Sequence, residues 1–283
     1  MPQIATGTPE LRALTGLHLW HAGNSNCSQR VRLVLAEKRL PWTGHPVDLY
    51  NFEHATPAYR SVHPKGLVPA LIHDGRTIID SNDIIAYLDA TFPGDSLEPT
   101  VAGAEALFEL AADCQLSLRT LSHEFMFKET RRYTVQQLDT FAVGHGYSEF
   151  AHFLRRFSLE GFSKPELLAC FDTIAAAAAT LDGRLAEGEW LGGPAVSLID
   201  FCWLPNIHRL ELLRFPLTGL DSLHRWLTAM QARPSYATAL ADYESGFPPV
   251  SASERQRRDE FFATAAQHRA RRQTLGKRTD VER

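Results

Sequence analysis

Residues 17–20 form a short apolar-biased run that follows the Gly16 break and stops in Gly23-Asn24-Ser25-Asn26, which predicts a strand ending in a turn. A helix follows, with Asn26 or Ser28 placed to cap it and Val31, Leu33, Val34 and Leu35 forming an apolar stripe. Arg30, Arg32, Glu37 and Lys38 fall on the face expected to look outward. A second strand over 45–49, after Pro41, completes a β-α-β unit with parallel strands. Between 63 and 79, Asp74-Gly75 separates two β-prone runs, a strong hairpin signal. Asp80, Ser81 and Asn82 then offer caps for an amphipathic helix with Ile84, Ile85, Tyr87 and Leu88 inward, ending near Phe92-Pro93-Gly94.

From 102 to 243 strand patterns vanish, and stretches rich in Ala, Leu and Glu, such as 105–121, 165–185 and 197–213, show helical spacing. The expected architecture is an α/β N-terminal domain over 17–93 and an all-α C-terminal domain over 101–246, joined by a Pro- and Gly-containing linker at 94–100. Residues 1–16 form an N-terminal extension and 247–283 a charged C-terminal one. Ala175 to Ala179 carries almost no side-chain bulk and reads as a close helix–helix contact.

With 283 residues, 44% hydrophobic, 22% charged and a net charge of -4, the chain has the composition of a globular protein, which excludes disorder and fibrous folds. The balance gives no electrostatic reason to bind nucleic acid. Cys27, Cys114, Cys170 and Cys202 are widely separated, and neither they nor the twelve histidines show metal-ligand spacing, so no metal is expected. No run is apolar enough for a signal peptide or a membrane span, and a cytoplasmic location is the expectation.

Three segments resemble the glutathione transferase family. Ser25-Asn26-Cys27-Ser28-Gln29-Arg30-Val31-Arg32 is similar to the Ser-Ser-Cys-Ser-x-Arg-Val-Arg signature of its zeta class. Gly66-Leu67-Val68-Pro69-Ala70-Leu71, with Ile79-Asp80-Ser81 and Ile84-Ile85-x-Tyr87-Leu88, resembles its glutathione-binding segment. Ser197-Leu198-Ile199-Asp200 resembles the capping box of a central helix. The resemblance implies a thioredoxin-like first domain, a helical second domain, a homodimer and glutathione as the thiol.

Such a site must hold a thiolate near neutral pH although a free thiol has a pKa of about 8.5. A hydroxyl at the first turn of a helix does this through its hydrogen bond and the helix dipole, and Ser25 is the best-matched residue. Asn26 and Cys27 share the turn and are the other catalytic candidates. Asn26 stands where the family has a second serine, and Cys27 could support mixed-disulfide chemistry or be a buried bystander. By the resemblance, Pro69 is a cis-proline that presents the backbone of Val68 to the cysteinyl part of glutathione, as a strand added to an edge. Asp80 and Ser81, at a helix start, hold the γ-glutamyl end, and Asp80 is shorter than the Glu or Gln usual there. Lys65, with His54 or Arg60, is in range of the glycine carboxylate, whereas Ser197 and Asp200 are read as reciprocal caps without a catalytic role.

Residues 118–165 depart from the compact zeta pattern, being long and aromatic, with His123, Phe125, Met126, Phe127, Tyr133, Phe141, Tyr147 and Phe150. They resemble the longer helical domains of glutathione-dependent β-etherases. The expected function is attack of the glutathione thiolate on an apolar electrophile, aromatic by preference, in conjugation, β-aryl ether cleavage or dehalogenation. The alternatives are zeta-like cis-trans isomerisation, a Cys27-based reductase, and a non-catalytic binding protein that keeps the fold. The tail after 251, with Arg255, Arg257, Arg258, Arg269, Arg271, Arg272, Lys277 and Arg278, reads either as a solvated appendage or as a segment docked over the cleft or onto a partner subunit.

Overall fold

The computed structural model describes residues 3–247 and 249–281, the side chains of 3, 244–246, 273 and 275–281 excepted, so those of Lys277 and Arg278 lie outside the described ones. Among the described residues one sheet forms, from β1 (Gln3–Ile4), β2 (Leu17–His21), β3 (Thr43–Pro46), β4 (Ala70–His73) and β5 (Arg76–Ile79), in the order β1-β5-β4-β2-β3. The pair β2 and β3 is parallel, while β2–β4, β4–β5 and β1–β5 are antiparallel. The β-α-β unit and the hairpin are therefore as expected, with the second strand two residues earlier and the hairpin confined to 70–79. Asp74 and Gly75 both take positive φ, 47° and 74°, the turn that matches the twist of a two-residue hairpin. The segment before Leu17 is not a free extension: β1 pairs with β5, and a short helix α1 (Pro9–Arg12) follows.

Helix α2 (Asn26–Glu37) buries Val31, Leu33, Val34 and Leu35 completely, and α3 (Pro57–Arg60) and α4 (Ser81–Thr91) follow around the sheet. The outward assignment of Arg30 and Arg32 is overturned, for both are buried. Arg32 donates to the carbonyls of Ala22, Gly23 and Ala239, and Arg30 to that of Cys202, so each guanidinium closes a seam that carbonyls line. Lys38 is also covered, against Asp89 at 2.8 Å, and Glu37 pairs with Arg233.

The second domain holds α5 (Glu105–Asp113), α6 (Gln115–Ser122), a π-helical turn (His123–Phe127), α7 (Val135–Gly144), α8 (Ser148–Leu159), α9 (Lys164–Leu185), α10 (Leu198–Leu212), α11 (Asp221–Gln231), α12 (Pro234–Ala239) and α13 (Ala252–Val281). Helix α10 is buried on nearly every side, between α2 and α5, with Asp200, Asn206, His208 and Arg209 among its buried residues. Its start is fixed as the sequence suggests: Asp200 accepts from the N–H and hydroxyl of Ser197, and also from Leu191 N–H and the Trp226 indole. Ala177 and Ala178 are buried on α9, which packs against α6 and α11. A second apolar cluster, with Phe141, Phe153 and Leu154, sits where α7 and α8 fold over the first domain, so part of the aromatic segment is core.

The basic tail is docked on its own chain. Phe262 of α13 packs against Phe125, Phe171 and Phe215, and Arg257 donates to the Glu124 carboxylate at 2.7 Å.

Candidate active site

The cap of α2 is Ser25, not Asn26 or Ser28: its backbone is extended and its Oγ accepts from the Ser28 N–H at 3.3 Å. That bond uses a lone pair and leaves the hydroxyl hydrogen to donate elsewhere. Ser25 is half-buried and lines a cavity between the domains of about 930 Å³, counted with its open mouth. Asn26 borders the same cavity, but its amide is committed to the helical domain, donating to Pro205 O at 3.2 Å and Asn206 Oδ1 at 3.1 Å. Ser28 is fully buried and accepts from Ala22 N–H. Cys27 is half-buried rather than enclosed, on the wall between this cavity and a second one.

Gly66, Leu67 and Val68 line the same cavity as Ser25, and the Val68–Pro69 bond is cis. The loop is held by Tyr59, whose hydroxyl donates to Leu67 O at 2.6 Å, and by His145 Nε2 at 2.9 Å from Gly66 O. Gly66 has φ +65°, and a Cβ there would sit 2.5 Å from His54 O, so no larger residue fits.

The second cavity, about 1020 Å³ with its mouth, is lined by Asp80, Ser81, Asn82, Arg30, Cys27 and Arg119 among others. Asp80 takes φ +71° and its carboxylate accepts from Asn82 N–H at 3.0 Å, capping α4. Arg30 donates to Ser81 Oγ at 3.0 Å and Asn82 Oδ1 at 2.9 Å, which fixes the start of α4 against α2. Its role was hidden in the sequence by the rule that charged helix positions face water.

Of the three residues expected near the glycine carboxylate, only His54 lines the first cavity. Lys65 is exposed and outside it, and Arg60 is spent on the carbonyls of Pro64 and Gly144. His54 is buried with no hydrogen-bond partner on either ring nitrogen, and burial, followed by the charges of His145 and Arg131, pushes its pKa down to about 3.

The helical domain adds three arginines that the sequence did not single out, Arg119 from α6, Arg131 after the π-helical turn and Arg209 from α10, and His123 of that turn, named in the aromatic segment, lines the first cavity with them. Arg131 stacks 4.2 Å from the centroids of Tyr50 and Phe127, and Arg209 lies 4.8 Å from that of Phe247. Arg119 and His123 lie one helical turn apart, but Arg131 comes from the loop after the π-helical turn and Arg209 from α10, so no single spacing along the chain joins the set.

A mixed α/β sheet domain with a Ser-capped helix and a cis-proline loop, packed against a helical domain, is the fold class these elements define. Residues 24–91 match the family model "Glutathione S-transferase, N-terminal domain". The chain is similar to a maleylacetoacetate isomerase of Pseudomonas aeruginosa, 42% identical over 221 residues that cover 76% of this chain and 91% of that one. It is also 28% identical to a zeta-class glutathione S-transferase of Euphorbia esula over 249 residues, 84% of this chain and 95% of the other. The crystal structure of β-etherase LigF from Sphingobium sp. strain SYK-6 superposes with a TM-score of 0.68 over 80% of this chain and 98% of that one, at 24% identity, a likeness of fold alone. The chain belongs to the glutathione S-transferase family, with a thioredoxin-like first domain and a mainly helical second one. Among the described residues no helix is long and apolar enough to cross a membrane, and no three His, Cys, Asp or Glu side chains gather as a metal site.

Proposed function

We propose that the protein is a glutathione-dependent transferase or lyase in which Ser25 stabilises the glutathione thiolate for attack on an electrophile with an apolar, aromatic body. The observation that carries this reading is the Ser25 cap: its oxygen accepts from Ser28 N–H, and its hydroxyl hydrogen is left for a partner in the cavity that Val68 also lines. A hydrogen bond to the anion and the positive end of α2 both favour the ionised sulfur.

Backbone groups of Val68 beside cis-Pro69 hold the cysteinyl portion of glutathione, and Ser81 with the start of α4 holds the γ-glutamyl carboxylate. Asp80, whose carboxylate caps α4, pairs with the α-amine through its remaining lone pairs. Lys65 reaches the glycine carboxylate only by swinging in from the surface, so His54 is the better-placed neighbour of that end. The thiol proton leaves to solvent as the site ionises. The sulfur then forms a bond to carbon, and the electron pair departs on a halide or an aryloxide, or stays on the adduct in simple addition. Phe127, Tyr133 and Phe150 on the cavity wall supply an aromatic surface for the electrophile. A cytoplasmic homodimer goes with this reading.

A second reading, cis-trans isomerisation through a transient adduct, is favoured by the 42% identity to a maleylacetoacetate isomerase and uses the same thiolate. An ultraviolet difference titration of bound glutathione tests both. A thiolate signal with a midpoint well below the free value of about 8.5, moving back toward it in Ser25→Ala, supports the role of Ser25. Glutathione binding without a depressed midpoint overturns it, and product analysis with aryl ethers, aryl halides and maleyl compounds separates the reactions.

A further inference from the structure

The first cavity is lined by three arginines and two histidines, and by no carboxylate among the described residues. Arg131 is only 8% exposed and Arg209 only 5%, yet neither forms an ion pair with a carboxylate of the described residues. Arg209 gives Nη2 to Asn24 O at 2.7 Å, beside Ser25, and Nη1 to Ser122 Oγ at a long 3.5 Å, while its Nε has no partner. Arg131 has neither Nε nor Nη2 satisfied, its plane lying against Tyr50 and Phe127. Burying two guanidinium ions without a counter-ion costs free energy that a bound anion would offset. Their mutual influence is visible in Arg209, whose pKa is pushed down to about 9 by burial first and by the Arg131 charge second.

We propose that the electrophile is itself an organic anion, with a carboxylate-type group held by Arg131 and Arg209 and its aromatic body lying along Phe127 and Phe150. The inference deepens the function proposed above and rests on it for the electrophile's fate. The cations sit on the helical side of Ser25, whereas Val68, Asp80 and Ser81, which serve glutathione, belong to the first domain. An anion on Arg209 therefore places the attached ring next to the sulfur that Ser25 stabilises. Planar guanidinium groups match a carboxylate in two parallel hydrogen bonds, and the unpartnered nitrogens of Arg131 and Arg209, covered in this structure, reach one by turning toward the cavity that both side chains line, which fixes the orientation of the ring as well as its affinity.

The test uses chlorodinitrobenzoate, with its chloride para to the carboxylate, and the methyl ester of the same compound. Glutathione thiolate attacks the carbon that bears chlorine, a C–S bond forms, the C–Cl bond breaks, and chloride leaves with the electron pair. Both rates are divided by the uncatalysed ones. Binding of unreactive dinitrobenzoate and its ester is measured in parallel by calorimetry. The expected result is a preference for the carboxylate of roughly 10- to 100-fold in both assays, the range for charge-assisted hydrogen bonds. That ratio collapses toward one in Arg131→Gln and in Arg209→Gln and is partly restored by Arg209→Lys. Circular dichroism reports the fold of each variant, and Arg131→Gln alone suffices if Arg209→Gln does not fold.

Equal or better use of the ester by the unaltered protein overturns the proposal. A second carboxylate, that of the glycine of glutathione, has the same chemistry. If the arginine variants lose affinity for glutathione but keep it for γ-glutamylcysteine, the pair serves that glycine and the proposal falls. Arginine-dependent binding of dinitrobenzoate without turnover of either halide leaves the anion site standing and removes the transferase reading instead.

Discussion

The Asn26 side-chain amide, in the first turn of α2, donates to Asn206 Oδ1 at 3.1 Å and to Pro205 O at 3.2 Å, so the turn that carries Ser25 is bolted to the central helix of the other domain. Asn26 and Asn206 are 7% and 2% exposed, and both hydrogens of the Asn26 side-chain amide are engaged, which leaves that side chain no donor for a thiolate. Asn26→Ala is expected to lower stability by about 1–3 kcal/mol, because it strands a buried acceptor on Asn206. The thiol midpoint of bound glutathione in the folded variant should stay close to that of the native protein. A midpoint that rises as far as in Ser25→Ala would return Asn26 to the sulfur.

Cys27 stands at the first turn of α2 and on the wall between the two cavities, where an attached adduct would occupy space that substrates need. Loss of activity on alkylation therefore does not identify a nucleophile, and the informative variant is Cys27→Ala, which removes sulfur without adding bulk. Turnover of an aryl halide is expected to survive, and reduction of a glutathione mixed disulfide to be absent from the native protein. Loss of turnover in Cys27→Ala together with such a reductase activity would establish thiol exchange at this residue.

Much of the first domain was legible because its signals are local. Asp74-Gly75 specifies a tight turn by its φ values, the alternation of β2 marks a sheet with one covered face, and Asp80 caps α4 from the adjacent position. The Ser197–Asp200 box was readable for the same reason, since both partners lie within one helical turn. Arg30, Arg32 and Arg209 were not, for their partners are carbonyls far away in sequence: Cys202, Ala239 and Asn24. Nothing in the neighbourhood of a charged helix residue announces that a distant loop will offer it oxygens in place of water. The His54 and Lys65 assignments divided on the same ground, because which loop residue turns inward depends on α7 and α8 packing over it.

Buried histidines set the response of the fold to acid. Burial holds His21, His63 and His208 down to about 4 and His54 to about 3, and it also lowers His123. A base whose folded pKa lies below its unfolded value of about 6.5 takes up its proton preferentially in the unfolded chain, so stability rises with pH in that window. Their contribution is complete above about pH 6.5 and drains away between there and pH 4, with a slope of up to ~1.4 kcal/mol per pH unit for each. Urea unfolding at pH 7 and pH 5 is expected to show a marked loss at the lower value. His54→Phe, which suits the surrounding rings of Phe52, Phe141 and Phe150, should make that loss smaller by one histidine's share. An unchanged pH dependence in the variant would mean that His54 titrates normally.

Helix α13 braces the π-helical turn from behind. Phe261 and Phe262 lie 5.0 and 5.2 Å from the ring of Phe125, and Arg257 reaches both the carboxylate and the carbonyl of Glu124, in the turn whose His123 and Phe127 face the cavity. Phe262→Ala is expected to cost about 3–5 kcal/mol, the usual range for emptying a buried phenylalanine site. Removing the chain from Ser251 onward also takes away the bonds of Ser251 to Glu129 and of Arg269 to the Asp172 carbonyl. The π-helical turn then loses its outer support, while the sheet, the cis-Pro69 loop and the start of α4 make their contacts elsewhere. The shortened protein should bind glutathione with nearly native affinity but show a raised KM for the electrophile. A parallel loss of both would mean that α13 stabilises the whole fold, and no loss of either would reduce it to an appendage.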